Sequence, residues 1–349
     1  MEITTIIPTY NRFKLLSRAI NSVKNQTYKQ IKIVVRDNAS TDETAETIMH
    51  LCKDDHRIVH QRLSTNIGSH ENIRQGIRSV DTEYFSFLCD DDYLSPEFYS
   101  EGVKLLDLYP KAAFVAFCVD IVDMDGNFIK SNFNSREKNN WPLYFNSGDG
   151  ISAYTQNKLP CTLTAYLFRK EVAHKIDFGD FSEVGYGADI FFIWHAACRF
   201  NFVVTNMRGG YYTSHDNSTS GTLVKAFDER FLYWWRNRML LILKDKEIQP
   251  SAHKVLEDFY FRNTRSRYPN KTYYLNSAIY LISKRLTAKE AKELKFDFIS
   301  MRPFLPTYML FFLKYFCLPL ERLGLMTNLR NSIKSLRTLS CERPACLSK

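Results

Sequence analysis

Short apolar runs alternate with amphipathic stretches from the start of the chain. Residues 2–7 (Glu-Ile-Thr-Thr-Ile-Ile) read as a strand stopped by Pro8. Leu16, Ile20 and Val23 then recur at helical spacing and predict a helix over 13–26. Ile31 to Val35 is a second apolar strand, with Asp37 just past its end. Ser40-Thr-Asp-Glu43 has capping-box spacing ahead of Ile48 and Leu51, so a second helix is expected there. Two strands and two helices within ~55 residues imply right-handed crossovers and a parallel sheet. Further strands are expected at 84–88, 112–122 and 161–169, with a hairpin turn at Asp125-Gly126 before Phe128. Phe98, Leu105 and Leu106 mark another helix, and Ile190 to Ala197 an apolar one. The stretch 132–150, rich in Asn, Ser and aromatics, reads as a mobile loop.

One turn carries most of the chemistry. Tyr84 to Leu88 ends abruptly in Asp90-Asp91-Asp92, followed by Ser95 as an expected N-cap and Pro96 at the first helical position. Ligands bind at the carboxyl ends of strands in open α/β sheets. Three adjacent carboxylates repel one another, and a bound dication relieves that repulsion. A hard-metal site for a phosphate-bearing ligand is the reading, against the plainer one of a solvated acidic turn. No G-x-G-x-x-G follows the first strand and no G-x-x-x-x-G-K-[ST] occurs. Phosphate would therefore be held through metal and side chains rather than through a glycine nest.

Composition and charge change the picture at the rear of the chain. The 349 residues carry a net charge of +9. Residues 221–349 hold 24 Lys and Arg against 11 Asp and Glu, a net of +13, leaving −4 for 1–220. A basic rear suits an anionic surface. Residues 306–320 are apolar and aromatic but too short for a bilayer span, and Lys314 interrupts them, so a segment lying in the membrane interface is expected. A packed core or dimer-forming helix is the alternative. Eight cysteines without a C-x-x-C pair, and no signal peptide, read as reduced thiols in a cytosolic protein.

Pro8-Thr-Tyr-Asn-Arg12, Asp37-Asn-Ala-Ser-Thr-Asp42, Asn66-Ile-Gly68 and the acidic turn, in that order, resemble the family 2 glycosyltransferases with the GT-A fold, among them bacterial surface-polysaccharide enzymes. The resemblance covers roughly 1–220. It implies an α/β fold of GT-A type, with a mostly parallel central sheet flanked by helices, and leaves 221–349 as a helical, basic, membrane-associating region. It implies that Pro8, Thr9 and Tyr10 wall a nucleotide base and that Asp37 accepts a hydrogen bond from it. Arg12, Asn66 and Asp90 complete the nucleotide set. Asp91 and Asp92 would hold Mg2+ or Mn2+ against the two phosphates. Tyr211 to Ser220 resembles the close of the catalytic domain, with His215 completing the metal shell. Asp189 matches the Asp thought to act as catalytic base. Three positions depart from the family pattern: Cys89 replaces the first acid of the turn, Glu71 an Arg, and Ala188 a Glu.

What the resemblance implies is an inverting, metal-dependent glycosyltransferase of surface polysaccharide (O-antigen or capsule) synthesis. Its donor would be a UDP-, dTDP- or CDP-sugar, and its acceptor a glycan or polyprenyl-linked hydroxyl. It would sit peripherally on the inner face of the cell membrane and bind no nucleic acid. Two alternatives stand beside it. A nucleotidyltransferase would need a Gly- and Lys-rich first loop, which Pro8–Arg12 is not. A nucleotide-sugar- or membrane-binding protein that keeps the fold without turnover is kept open by Cys89, Glu71 and Ala188.

Overall fold

The computed structural model describes residues 1–131, 141–155, 158–160, 162–178, 188–215, 242, 245–248 and 250. The chain divides into units Met1–Phe261 and Arg262–Lys349, and every described residue lies in the first.

The N-terminal half alternates as its pattern requires: β1 (Ile3–Thr9), α1 (Phe13–Lys24), β2 (Ile31–Asp37), α2 (Thr44–Asp54), β3 (Ile58–Arg62), α3 (Ser69–Arg78) and β4 (Tyr84–Phe87). β5 (Tyr93–Leu94), α4 (Phe98–Leu108), β6 (Ala112–Val122) and β7 (Phe128–Ser131) follow. Then come β8 (Leu143–Phe145), α5 (Gly150–Thr155), β9 (Tyr166–Arg169), α6 (Lys170–Lys175), α7 (Ala188–Arg199) and β10 (Asn201–Thr213). One sheet runs in the order β3-β2-β1-β4-β9-β6-β10-β5, with β7 on β6 and β8 on β10. β3, β2, β1 and β4 are parallel, while β9 is antiparallel to both β4 and β6. The sheet is therefore mixed: β6 and β10 pair in parallel as well, while β5, β7, β8 and β9 pair antiparallel. Alternation along β1 sends Ile3 and Ile7 to one apolar core with α1 and α4, and Ile6 to the other with α3 and α7.

Several local expectations are corrected. Pro8 does not stop β1, which continues to Thr9. Ile6 C=O accepts from Leu88 on the β4 side, so the missing N–H of Pro8 faces the same side, where β4 pairing has ended at Phe87. The capping box does not form. α2 starts at Thr44, whose N–H donates to Asp42 Oδ1, because Ser40 Oγ is already accepting from Asn11 N–H. Ser95 is not an N-cap either. After the acids the chain pairs with β10 as β5, Ser95 N–H donates to Gly209 C=O, and α4 begins only at Phe98. The acidic turn thus joins two strands. Within 132–150, the residues from 141 onward hold β8, paired with β10, and the start of α5 rather than a loop. Residues 132–140, the expected helices after 221 and the segment 306–320 lie outside the described residues.

Candidate active site

The loops that leave the carboxyl ends of β1, β2 and β3 are hooked to one another by side chains. Asn11, held at a positive φ of 54°, accepts from Thr41 N–H at 2.8 Å, and Arg12 N–H donates to Thr44 Oγ1 at 3.1 Å. Asn38 donates to Asn66 Oδ1 and accepts from Ile67 N–H, both at 2.9 Å. Asn66 Oδ1 also accepts from Gly68 N–H, and Gly68 has a φ of 84°, which suits a residue without a Cβ. The loops border a cleft of about 500 Å³. Pro8, Thr9, exposed Tyr10, Arg12 and Asn66 line it on this side.

The three acids have three different surroundings. Asp90 lines the cleft nearly buried, and its carboxyl is pushed up to about 7 by burial and by the charge of Asp91, against the pull of Arg12. Asp91 also lines the cleft. Its Oδ2 accepts from Arg12 Nη1 at 2.6 Å and lies 3.1 Å from His215 Nε2. Arg12 Nη1 is 3.6 Å from Asp90 as well, so part of the repulsion in the turn is already offset by a guanidinium. Burial works against the Arg12 charge, yet Asp90 and Asp91 hold its pKa above the ordinary value. Asp92 is fully buried and is not among the cleft-lining residues. It accepts from Thr164 Oγ1 and, at 2.9 Å, from Thr213 N–H, and burial beside Asp91 holds its carboxyl well above the usual range. Arg18 of α1 braces the turn from behind. It donates to Asp91 C=O at 2.9 Å and Thr213 Oγ1 at 2.8 Å while stacking on Tyr93.

Asp37 is fully buried and is not among the cleft-lining residues. It accepts from Ser40 N–H at 2.8 Å and lies 3.3 Å from His60 Nε2 and 3.5 Å from Arg62 Nε. Its neighbour Asn38 faces the cleft instead. Asp189, in the first turn of α7, lines the same cleft. Burial raises its carboxyl to about 6, although the N–H of Ile190 opposes this. His215 touches the acids through Asp91 without lining the cleft itself. Among the remaining lining residues, Ser69, Thr162, Leu163 and Phe178 carry no motif and meet only through the fold, whereas His70, Asn72 and Tyr212 lie in segments that resemble the family's but had no role assigned to them.

The donor chemistry at the turn fits a hard cation in part. Asp91 presents an oxygen toward the cleft with an imidazole beside it, which suits Mg2+ or Mn2+ when phosphate oxygens supply the rest. Asp92 is tied to the fold through a hydrogen bond on each oxygen, and one of those oxygens also lies in the cluster with Asp91 and Cys89.

A mixed open sheet with flanking helices and an acid-lined cleft at its strand ends defines the GT-A class of fold. TarS 1–349 of S. aureus, solved in complex with UDP-GlcNAc, superposes with a TM-score of 0.61 at 18% identity, covering 98% of this chain and 93% of that one. The mannosyltransferase PcManGT of Pyrobaculum calidifontis, solved with GDP-Man and Mn2+, gives a TM-score of 0.51 at 13% identity, with 94% and 87% covered. Residues 4–177 match Glycosyl transferase family 2, and the chain belongs to that family. A GalNAc(5)-diNAcBac-PP-undecaprenol beta-1,3-glucosyltransferase of Campylobacter jejuni is 39% identical over 95 residues, 27% of this chain and 30% of that protein. An uncharacterized glycosyltransferase of Haemophilus influenzae is 29% identical over 131 residues, 37% of this chain and 51% of that one. The matched stretches thus span about half or less of these curated relatives.

Proposed function

We propose that the protein is an inverting glycosyltransferase that moves a sugar from a nucleotide-diphosphate donor to a hydroxyl of a lipid-linked glycan, in surface-polysaccharide (O-antigen or capsule) synthesis. The observation that carries this reading is that Asp91 and Asp189 line one cleft. Tyr10 and Pro8 offer flat surface to a base. Asp90 is raised toward neutrality by its burial, so it can donate or accept a hydrogen bond to the ribose. Asp37 accepts a base N–H in this reading only if its link to Ser40 or His60 is exchanged for the ligand.

Arg12 lies at the acids with its charge reinforced, within reach of a diphosphate bound in the cleft. Asp91, with His215 beside it, would hold a divalent cation, which would supply further positive charge against the leaving diphosphate. Asp189 takes the proton of the acceptor hydroxyl as that oxygen attacks the anomeric carbon. Its raised pKa suits a base that must accept a proton near neutral pH. Support for the donor class comes from the UDP-GlcNAc-bound TarS fold, and for the acceptor class from the name of the Campylobacter relative.

The test is incubation of the purified chain with UDP-, dTDP- and CDP-sugars and a polyprenyl-diphosphate-linked oligosaccharide. Transfer with inversion at the anomeric carbon, read by NMR, is the expected result. Nucleotide binding without transfer from any donor would instead favour the binding protein that keeps the fold and lacks turnover.

A further inference from the structure

Cys89 lines the cleft beside the acids. Its sulfur and one carboxylate oxygen each from Asp91 and Asp92 lie within 4.8 Å of one another, and His215 Nε2 stands 3.1 Å from Asp91. Bonds of about 2.3 Å to sulfur and about 2.0–2.2 Å to oxygen place two donors of a tetrahedral cation roughly 3.6 Å apart. Cys89, Asp91 and Asp92 therefore close by about 1 Å at most to hold one ion.

Building on the nucleotide-sugar reading of this cleft, we propose that Cys89 is itself a metal ligand. Together with Asp91 and Asp92 it makes a mixed sulfur and oxygen site that prefers a thiophilic divalent cation such as Co2+, Zn2+ or Cd2+ over Mg2+. The donor chemistry carries the preference. Carboxylate and water select hard cations, whereas a thiolate shifts a site toward the later first-row metals and zinc. A thiol that coordinates a dication gives its proton to water. Asp92 contributes from behind, because each carboxylate oxygen keeps a lone pair beyond the bond it accepts from Thr164 or Thr213.

The experiment uses the full chain stripped with a chelator and titrated with Co2+ under reducing conditions. A strong near-ultraviolet sulfur-to-cobalt charge-transfer band should grow to one equivalent. It should vanish in Cys89→Ser and weaken in Asp91→Ala. Preference for Cd2+ over Mn2+ should fall by roughly tenfold or more in Cys89→Ser, as loss of a soft ligand requires. Should the variants fail to fold, cadmium-113 NMR of the wild type still reads the ligand set, since a thiolate moves the resonance far downfield of an all-oxygen site. Cobalt bound with weak visible bands alone, or a sulfur band that persists in Cys89→Ser and so belongs to another of the eight cysteines, would overturn the proposal. Calorimetry with UDP separates the two readings. Sugar transfer without a sulfur band removes the thiolate site alone, and a sulfur band without nucleotide binding removes the transfer reading alone.

Discussion

Asp91 and Asp189 are carboxylates on one cleft whose surroundings divide their work. Asp91 is met by Arg12 and His215 at the mouth of the acidic turn. Asp189 is dominated by burial, which favours its neutral form up to about pH 6. Asp189→Asn should keep nucleotide affinity and lower kcat by about 10²–10⁴-fold, the usual worth of a general base. The acid limb of the wild-type rate profile should have its midpoint near pH 6 and be absent from the variant's residual rate. The stability effect has the opposite sign. A carboxyl whose folded pKa is raised binds more protons folded than unfolded between about pH 4 and 6, so stability falls as pH rises through that window. Asp189→Asn should therefore gain on the order of 1–2 kcal/mol relative to wild type above pH 6, and nothing below pH 4. Urea titrations at pH 4 and pH 7.5 measure this. Asp91→Ala should remove metal-supported turnover without unfolding the chain, and excess EDTA should act likewise on wild type; full turnover in EDTA would defeat the metal assignment. At this scale the sequence showed the acids but not their division of labour. Asp92 was indistinguishable from Asp91 until β10 brought Thr213 to it, and Asp37 looked open until His60 and Arg62 closed around it.

The working unit above the residue is a set of three loops tied by side-chain hydrogen bonds, with Arg18 of α1 as a brace under the acidic turn. Arg18 bonds Asp91 C=O, Thr213 Oγ1 and Met124 C=O, so one guanidinium fixes the turn, the end of β10 and the β6–β7 hairpin. Arg18→Met keeps the stem and loses the fork. It should lower kcat/KM by about 10–100-fold, the range seen when a group that orients a metal ligand is removed, with a folded circular dichroism spectrum. Asp37→Ala should cost about 1–3 kcal/mol in urea denaturation, because it leaves buried donors unpaired. Unchanged stability would show that the carboxylate is idle in the fold. β1, α1, β2, α2 and β4 were legible because their apolar spacing is local. β3, α3, β5, β8, α5, α6 and the long β10 were not. β10 shifts register against β6 between Val204 and Gly210, and its burial breaks at Asn206–Arg208, so no simple alternation announces it. Gly210 within it approaches Tyr93 C=O so closely that an added Cβ would sit 2.9 Å away, which is what lets β5 pair there.

Across the whole chain, the basic rear and the acidic front carry separate expectations. No helix among the described residues is long and apolar enough to cross a membrane. The net charge of +13 over 221–349 and the aromatic run 306–320 motivate a peripheral attachment. Anionic headgroups attract each nearby Lys or Arg by about 1 kcal/mol. The full chain should therefore pellet with anionic liposomes at low salt and retain part of that binding at high salt. A truncation after Met301 should lose the salt-resistant part. Equal binding by both chains would leave electrostatics as the sole contribution, and no pelleting by either would assign the basic rear to a protein partner. The family match ends at residue 177, whereas the helix bearing Asp189 begins at 188. In the proposed reading the acceptor side thus draws on a helix beyond the family match, while Thr213 at the end of β10 and the following His215 reach back to the acids. A chimera that replaces 170–199 with the matching stretch of a relative, while keeping Thr213 and His215, should inherit a new acceptor and keep its old nucleotide sugar.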